Sequence, residues 1–318
     1  MEHYIINGYG YSLGVKSNRM VICKNSEFVK EVSLNTIKTI QINSNGVKLS
    51  SDLIFALSAN NIKIFFNKNK NNAALHTMHE HKTASVRLSQ YKFCNNNITS
   101  INLAKNIIEN KIINQKNTIV YGARNLLSSA KDEAVVILNH LQKQLKEKSS
   151  KEEIMGIEGR AAFIYFNCLQ ELGLFPKSFK YRTKKNSTEI TNIALNYGYA
   201  ILSNRIYAAA IKHGLDPYCG VLHAIRSGKP SLILDIMEQY RSYVVDRAVV
   251  KFKNRLAKTD SFEEIKSDFA LNILKNFEKT IQYHDTEITV NELIQKQLVS
   301  LKSHICADKE YSPFVFKW

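Results

Sequence analysis

Apolar residues in the first quarter of the chain come in short runs, Arg19 to Cys23, Glu27 to Val32, Thr39 to Ile42 and Ile62 to Phe66, each cut off by Asn, Ser or Gly. Runs of strand length bounded by turn residues predict a small, mostly β domain from Met1 to about Lys82. One short helix is expected within it at Ser51 to Ala59, with Asp52 in the first turn and Leu53, Ala56 and Leu57 on one face. The polar stretch from Asn67 to Asn72 reads as a hairpin loop before a last strand, Ala73 to His81. From Ala84 the spacing changes: Ala84, Leu88 and Tyr91, then Ile101, Ala104, Ile107 and Ile108, then Ile112 and Ile113 recur at three and four. Nearly all of residues 83–318 is therefore expected to be helical, with breaks at Ser149 to Lys151, Gly173 to Pro176, Lys184 to Thr188, Gly214 to Pro217 and Gly228 to Pro230. The fold class is α+β, a β-rich domain over 1–82 followed by a larger all-α domain.

Composition narrows the partners. The 318 residues carry 44 Lys and Arg against 28 Asp and Glu, a net charge of +16 spread along the chain, which favours a polyanionic partner such as nucleic acid or an anionic membrane surface. Five widely spaced cysteines with no C-x-x-C pair speak against a zinc ribbon or a disulfide framework and for a reducing compartment. No segment approaches the roughly 18 uninterrupted apolar residues of a membrane span, and the N-terminus lacks a signal-peptide pattern. A cytoplasmic protein is expected.

Candidate chemistry gathers between Gly214 and Arg241. Asp235 and Glu238 stand three apart in a helical run, a spacing that sets both carboxylates on one side, able to face a single point where something cationic is expected. His223 ends an apolar turn just upstream. A lone histidine there is more often a hydrogen-bonded core residue, and Glu158, flanked by Gly156 and Gly159, reads on its own more readily as a first-turn glutamate. Together, however, Glu158, His223, Asp235 and Glu238 form a mixed nitrogen and oxygen set without cysteine, suited to Mg²⁺ or Mn²⁺. Such a site serves phosphodiester chemistry, and Arg205, Lys212, Arg226, Lys229 and Arg241 lie near it in sequence, each individually also at home on a solvated helix. Gly8, Gly10 and Gly14 miss the dinucleotide spacing and read as a hairpin turn; His76, His79 and His81 do not form H-E-x-x-H; Asp285 and Glu287 beside His284 read as a loop.

Five ordered segments resemble one family: E-G-x-A-A-x-x-Y-F at Glu158 to Phe166, N-x-x-x-x-x-G-Y-A at Asn192 to Ala200, GLDP-x-x-G-x-x-H at Gly214 to His223, PSL-x-x-D-x-M-E-x-x-R at Pro230 to Arg241, and EYSPF at Glu310 to Phe314. With the R-L-x-Q-Y segment at Arg87 to Tyr91, they make the chain similar to the CRISPR-associated integrase of spacer acquisition over essentially its whole length. The resemblance implies a metal-dependent DNA endonuclease and integrase that inserts short foreign DNA into a repeat array by transesterification. Glu158, His223 and Glu238 fall on its divalent-metal ligands and Asp235 on the neighbouring acid. Family members commonly carry aspartate where this chain has Glu238, so either Asp235 or Glu238 is the direct ligand. Arg182, Asn192, Arg205, Arg226, Lys229 and Arg241 are the candidate DNA contacts, although the stretch Arg182 to Ser187 lacks the family's prolines. The resemblance further implies a homodimer, with dimerisation assigned to the β domain, double-stranded and branched DNA as partners, and a small second core adaptation protein. Two alternatives stay open: a transposon-encoded relative of the same integrase, which would be expected to carry a further DNA-binding module, and a basic DNA-binding scaffold whose acids are structural.

Overall fold

The computed structural model describes residues 2–60, 62–68, 71–75, 83–184 and 187–317. The protein is an α+β chain that divides into two compact units, residues 1–81 and 82–318. The smaller unit holds two four-stranded sheets. One joins β1 (Glu2–Ile6), β5 (Ile37–Ile42), β7 (Lys63–Lys68) and β8 (Asn71–Leu75) in that order; the other joins β4 (Glu27–Ser33), β3 (Arg19–Lys24), β2 (Tyr11–Lys16) and β6 (Lys48–Leu49). The β2–β3 and β3–β4 hairpins turn on Ser17–Asn18 and Asn25–Ser26, both pairs at positive φ, the two-residue geometry whose twist matches that of paired strands. Helix α1 spans Ser51–Ala59, capped by the Ser50 hydroxyl on the Leu53 amide, and Leu53 and Leu57 sink into a core with Leu13, Met20, Ile40 and Ile64.

Three local expectations shift. The turn at Gly8 and Gly10 leads from β1 in one sheet to β2 in the other rather than closing a hairpin, and Gly14 lies inside β2. β7 and β8 do pair antiparallel, but the ladder continues through Asn67↔Asn72 and Lys68↔Asn71, so most of the polar run is strand. The expected strand from Ala73 to His81 is described only to Leu75, and His76, His79 and His81 lie outside the described residues.

The larger unit comprises α2 (Ala84–Asn95), α3 (Asn97–Gly122), α4 (Ser129–Lys146), α5 (Lys151–Glu171), α6 (Ile190–Lys212), α7 (Ser231–Met237), α8 (Arg247–Leu256), α9 (Phe262–Phe277) and α10 (Val290–Ala307). Among the described residues the expected helix breaks fall between these elements, except that Lys151 already opens α5. The run around His284 is a hairpin, β9 (Thr280–Tyr283) against β10 (Thr286–Thr289), because His284 takes a positive φ that lets the chain reverse. In α2 the buried stripe is Val86, Gln90 and Cys94, while Leu88 and Tyr91 face outward. Helix α5 starts at a capping box, Ser150 with Glu153, which places Glu158 two turns inside the helix rather than in its first turn. Among the described residues no helix is long and apolar enough to cross a membrane.

Candidate active site

Helix α3 buries apolar and polar residues alike, and Asn110, Lys111, Asn114, Gln115 and Thr118 form a buried polar seam along it. Spacing at one and four keeps these side chains on one flank. Asn114 donates to the Gln239 carbonyl at 3.0 Å and accepts from the Phe316 amide at 2.9 Å, and Asn110 donates to the Phe314 carbonyl at 3.0 Å. The turn after α7 and the C-terminal tail are thereby both tied to α3. Tyr311 completes the tie through its hydroxyl to the Gln239 side chain. Glu238 is held beside this anchor.

Lys111 lies between the two anchoring asparagine contacts. Its ammonium pairs with Glu158 of α5 and, at 2.6 Å, with Glu238; Arg241 Nε lies 2.9 Å from the same Glu238 oxygen. The Lys111 and Glu238 side chains are 7% and 5% exposed, against 20% for Glu158, so the cluster is desolvated on all sides but one. Burial pushes the Glu238 carboxyl up, but Arg241 and Lys111 outweigh it and hold it down at about 2. Burial likewise works against the Lys111 charge, and Glu158 and Glu238 more than offset it. Glu238 and the two cations that meet it, Lys111 and Arg241, are thus held in the charged state.

Asp235, three residues before Glu238, turns elsewhere. It is completely buried; its Oδ2 accepts from the Val221 and Leu222 amides at 2.6 and 3.0 Å, and its Oδ1 from the His223 amide at 3.0 Å and His223 Nδ1 at 2.7 Å. With Nδ1–H donated to this carboxylate, the free lone pair of the ring is on Nε2. Gly220 is required here. A Cβ at that position would come within 2.4 Å of Asp235 Oδ2 and 2.7 Å of the Ser231 backbone. The loop is further clamped by the fully buried Gln90, which donates to the Asp216 and Cys219 carbonyls and accepts from the Asp216 amide. The expected convergence of Asp235 and Glu238 on one point is not what the geometry holds: helix α7 is only seven residues long, and the two carboxylates are claimed by different elements.

A cavity of about 420 Å³ opens beside the lysine cluster. Glu158 and Glu238 line it together with Gln115, Phe163, Phe166, Tyr181, Arg182, Tyr199, Arg241 and Asp246. Arg241 and Asp246 reach it from a π-helical turn, Arg241–Asp246, whose wider i to i+5 bonding sets its two ends on one face. Asp246 accepts from the Tyr199 and Tyr165 hydroxyls at 2.5 and 3.0 Å. Burial raises its carboxyl to about 6 against the pull of those hydroxyls and of Arg241 and Arg182. The Arg241 guanidinium stacks 4.4 Å over the Tyr199 ring.

Of the six candidate DNA contacts, Arg182 and Arg241 line the cavity. Asn192 is buried and holds the preceding segment, accepting from Arg182 and the Thr183 amide and donating to the Tyr181 carbonyl. Arg205 packs over the Phe277 ring, where burial lowers it to about 10; Arg226 is exposed and Lys229 half-buried in the turn before α7. Lys185 and Asn186 lie outside the described residues. Among the described residues no group of three His, Cys, Asp or Glu closes on one point tightly enough to hold a metal ion, the two carboxylates closing on Lys111 instead. Sequence reasoning passed over Lys111, Gln115 and Asp246, and took in Gln90 only as part of the R-L-x-Q-Y segment. Polar residues recurring inside the apolar stripe of α3 were the available signal for the first two.

Comparison with known proteins gives consistent matches. The model of the family described as CRISPR associated protein Cas1 matches residues 4–282. A CRISPR-associated endonuclease Cas1 of Francisella tularensis subsp. novicida is 35% identical, the alignment covering 100% of both chains. Among solved structures, a casposase bound to integration product superposes with a TM-score of 0.84 at 21% identity, covering 99% of this chain and 93% of that one. A chain of a Cas6-RT-Cas1–Cas2 complex gives 0.80 at 18% identity, covering 99% of this chain and 36% of that one. At those identities the two superpositions establish the fold.

Proposed function

This chain belongs to the CRISPR-associated protein Cas1 family, and we propose that it is a metal-dependent DNA endonuclease and integrase that inserts short DNA into a CRISPR array in the cytoplasm. The observation that carries the reading is the convergence of Glu158 and Glu238 on one buried cation at the mouth of a cationic cavity. The lysine ammonium stands in for a cation between the two carboxylates, donors that suit Mg²⁺ or Mn²⁺, and the Nε2 lone pair of His223 is the proposed third donor. Glu158, His223 and Glu238 are the proposed ligands. Asp235 is then the positioning residue, since both of its oxygens are already engaged by the loop that presents His223.

When bound, the divalent ion supplies charge stabilisation to the phosphoryl oxygens and to the leaving oxygen. In the proposed reaction the 3′-hydroxyl of the incoming strand loses its proton as its oxygen forms a new bond to a repeat phosphorus and the original P–O3′ bond breaks, and the departing 3′-oxygen takes up a proton to become a new 3′-hydroxyl. Arg182, which lines the cavity, is a proposed phosphate contact, and Glu238 pairs with Arg241 on the same lining. The net charge of +16 supports double-stranded and branched DNA as partners. A Cas2 protein is the proposed second partner, as in the complex to which the fold is similar. Homodimerisation through the smaller unit has support in the exposed Phe28 and Val29 of strand β4, at the edge of its sheet.

Strand transfer of a 3′-hydroxyl duplex into a supercoiled repeat plasmid tests the reading. Integration is expected with Mg²⁺ or Mn²⁺ and is expected to be lost in Glu158→Ala and His223→Ala. Variants that integrate as well as the wild type would overturn the ligand assignment. Metal-independent binding to branched DNA with no turnover in any divalent ion would instead establish a scaffold.

A further inference from the structure

Lys111 presents a problem that the metal reading leaves open. Its ammonium fills the position between Glu158 and Glu238 to which a divalent ion would be drawn. Counting formal charges, Glu158 and Glu238 contribute −2 and Lys111 and Arg241 contribute +2, so the cluster is neutral as it stands. Adding a divalent ion with the lysine still in place would bring a desolvated site to +2, which low-dielectric surroundings oppose. Two things relieve that excess: removal of the lysine charge from between the carboxylates, and entry of phosphates. The geometry allows both. Lysine is a point charge on a flexible four-carbon stem, and Lys111 also lines the 420 Å³ cavity into which that stem can turn. Arg241 has no such freedom, being packed over the Tyr199 ring.

We propose that Lys111 is a built-in counter-cation that keeps Glu158 and Glu238 aligned in the metal-free protein and yields its place to the divalent ion when a DNA strand enters the cavity, its ammonium then pairing with a phosphate of that strand. Lys111 is a positioning residue on this account, and it makes metal binding and DNA binding reciprocally coupled. The inference rests on the metal reading above. A purely structural lysine would differ: its loss would destabilise the protein without strengthening metal binding.

Mn²⁺ affinity measured by electron paramagnetic resonance, with and without a duplex whose 3′ ends are dideoxy so that no transfer occurs, separates these cases. Wild-type protein is expected to bind Mn²⁺ about 10-fold more tightly with the duplex than without it, the size of an ordinary coupling between sites. Lys111→Met is expected to bind Mn²⁺ about 10-fold more tightly than wild type without DNA and to lose most of the coupling. Lys111→Arg, which keeps the charge on a side chain that fits the carboxylates bidentately, is expected at or below wild-type affinity. Should Lys111→Met unfold alone, the Arg variant and the larger rise in thermal midpoint that Mn²⁺ gives the Met variant still decide the matter. Equal or weaker Mn²⁺ binding by Lys111→Met overturns the role of Lys111 and leaves the metal site standing. Absence of Mn²⁺ binding in every protein, with and without DNA, overturns both.

Discussion

Asp235 and Glu238 are buried acids less than one helical turn apart, yet their surroundings are of opposite kinds. Asp235 is met by three backbone amides and an imidazole N–H, donors fixed by the fold of the Gly220 to His223 loop. Glu238 is met by two side-chain cations, one of which sits on a flexible stem at the edge of a cavity. The first arrangement is closed: every oxygen is committed and nothing can replace its donors without remaking the loop. The second rests on side-chain cations, and on the proposal above one of them gives way to a divalent ion. Similar burial therefore says little about whether an acid is structural or available for chemistry, and the nature of its partners says much.

The largest effect that would break this contrast is expected at Asp235. Asp235→Ala leaves three buried amides and the His223 ring without their acceptor, which should cost about 4 kcal/mol or more of stability in urea unfolding. Added Mn²⁺ should not restore it; recovery on adding metal would place Asp235 among the exchangeable ligands. Next comes Asp246, a buried acid held by hydroxyls. Its carboxyl is raised to about 6 from an ordinary 3.8, so the folded state binds the proton more tightly than the unfolded one. The stabilisation is complete below about pH 4 and is lost as pH rises through about 6, a difference of up to about 3 kcal/mol. Asp246→Asn should flatten the thermal midpoint between pH 4 and 7 relative to wild type, and an unchanged profile would refute the assignment. Glu238, depressed to about 2, acts in the opposite sense, its contribution present above the ordinary carboxylate range and lost as pH falls toward 2.

A smaller cost, about 1–3 kcal/mol, is expected for Gly220→Ala, where the new methyl meets Asp235 and the Ser231 backbone. The loss of strand transfer should exceed that of stability, because the loop that presents His223 is displaced. The smallest effect has the reverse sign. Gly156 lies in α5 where an added methyl group would meet nothing within 4 Å, and its replacement by alanine should gain about 0.5–1 kcal/mol, read by denaturant midpoint. That helix face gives up stability for open space, and a DNA backbone passing there would explain why; reduced duplex affinity in the more stable variant would sharpen the point.

Helix α1 was legible to its ends because Ser50 caps it and its apolar face is regular, and the breaks near Ser150, Gly173, Gly214 and Pro230 were legible from turn chemistry. The β9–β10 hairpin was not: four-residue strands leave too little alternation to stand out from a helical neighbourhood. Family-like segments singled out Glu158, His223 and Glu238, of which Glu158 and Glu238 meet at one lysine, but their spacing could not separate Glu238 from Asp235. Lys111 was invisible for a different reason. It lies 47 residues from Glu158 and 127 from Glu238, within an apolar helical run where a lysine reads as solvated.

What the sequence determined by itself is what is local or shared with relatives: the two-part α+β organisation, most helix ends, a basic chain, and a short set of acids and a histidine. Those follow from periodicity, capping and composition, which act over a few residues at a time. Only the tertiary structure decided which acid is met by backbone amides and which by side-chain cations, and which cation stands between Glu158 and Glu238. Charge pairing in a buried site depends on where α3, α5 and the turn after α7 meet, and that meeting is set by packing of segments far apart in the chain.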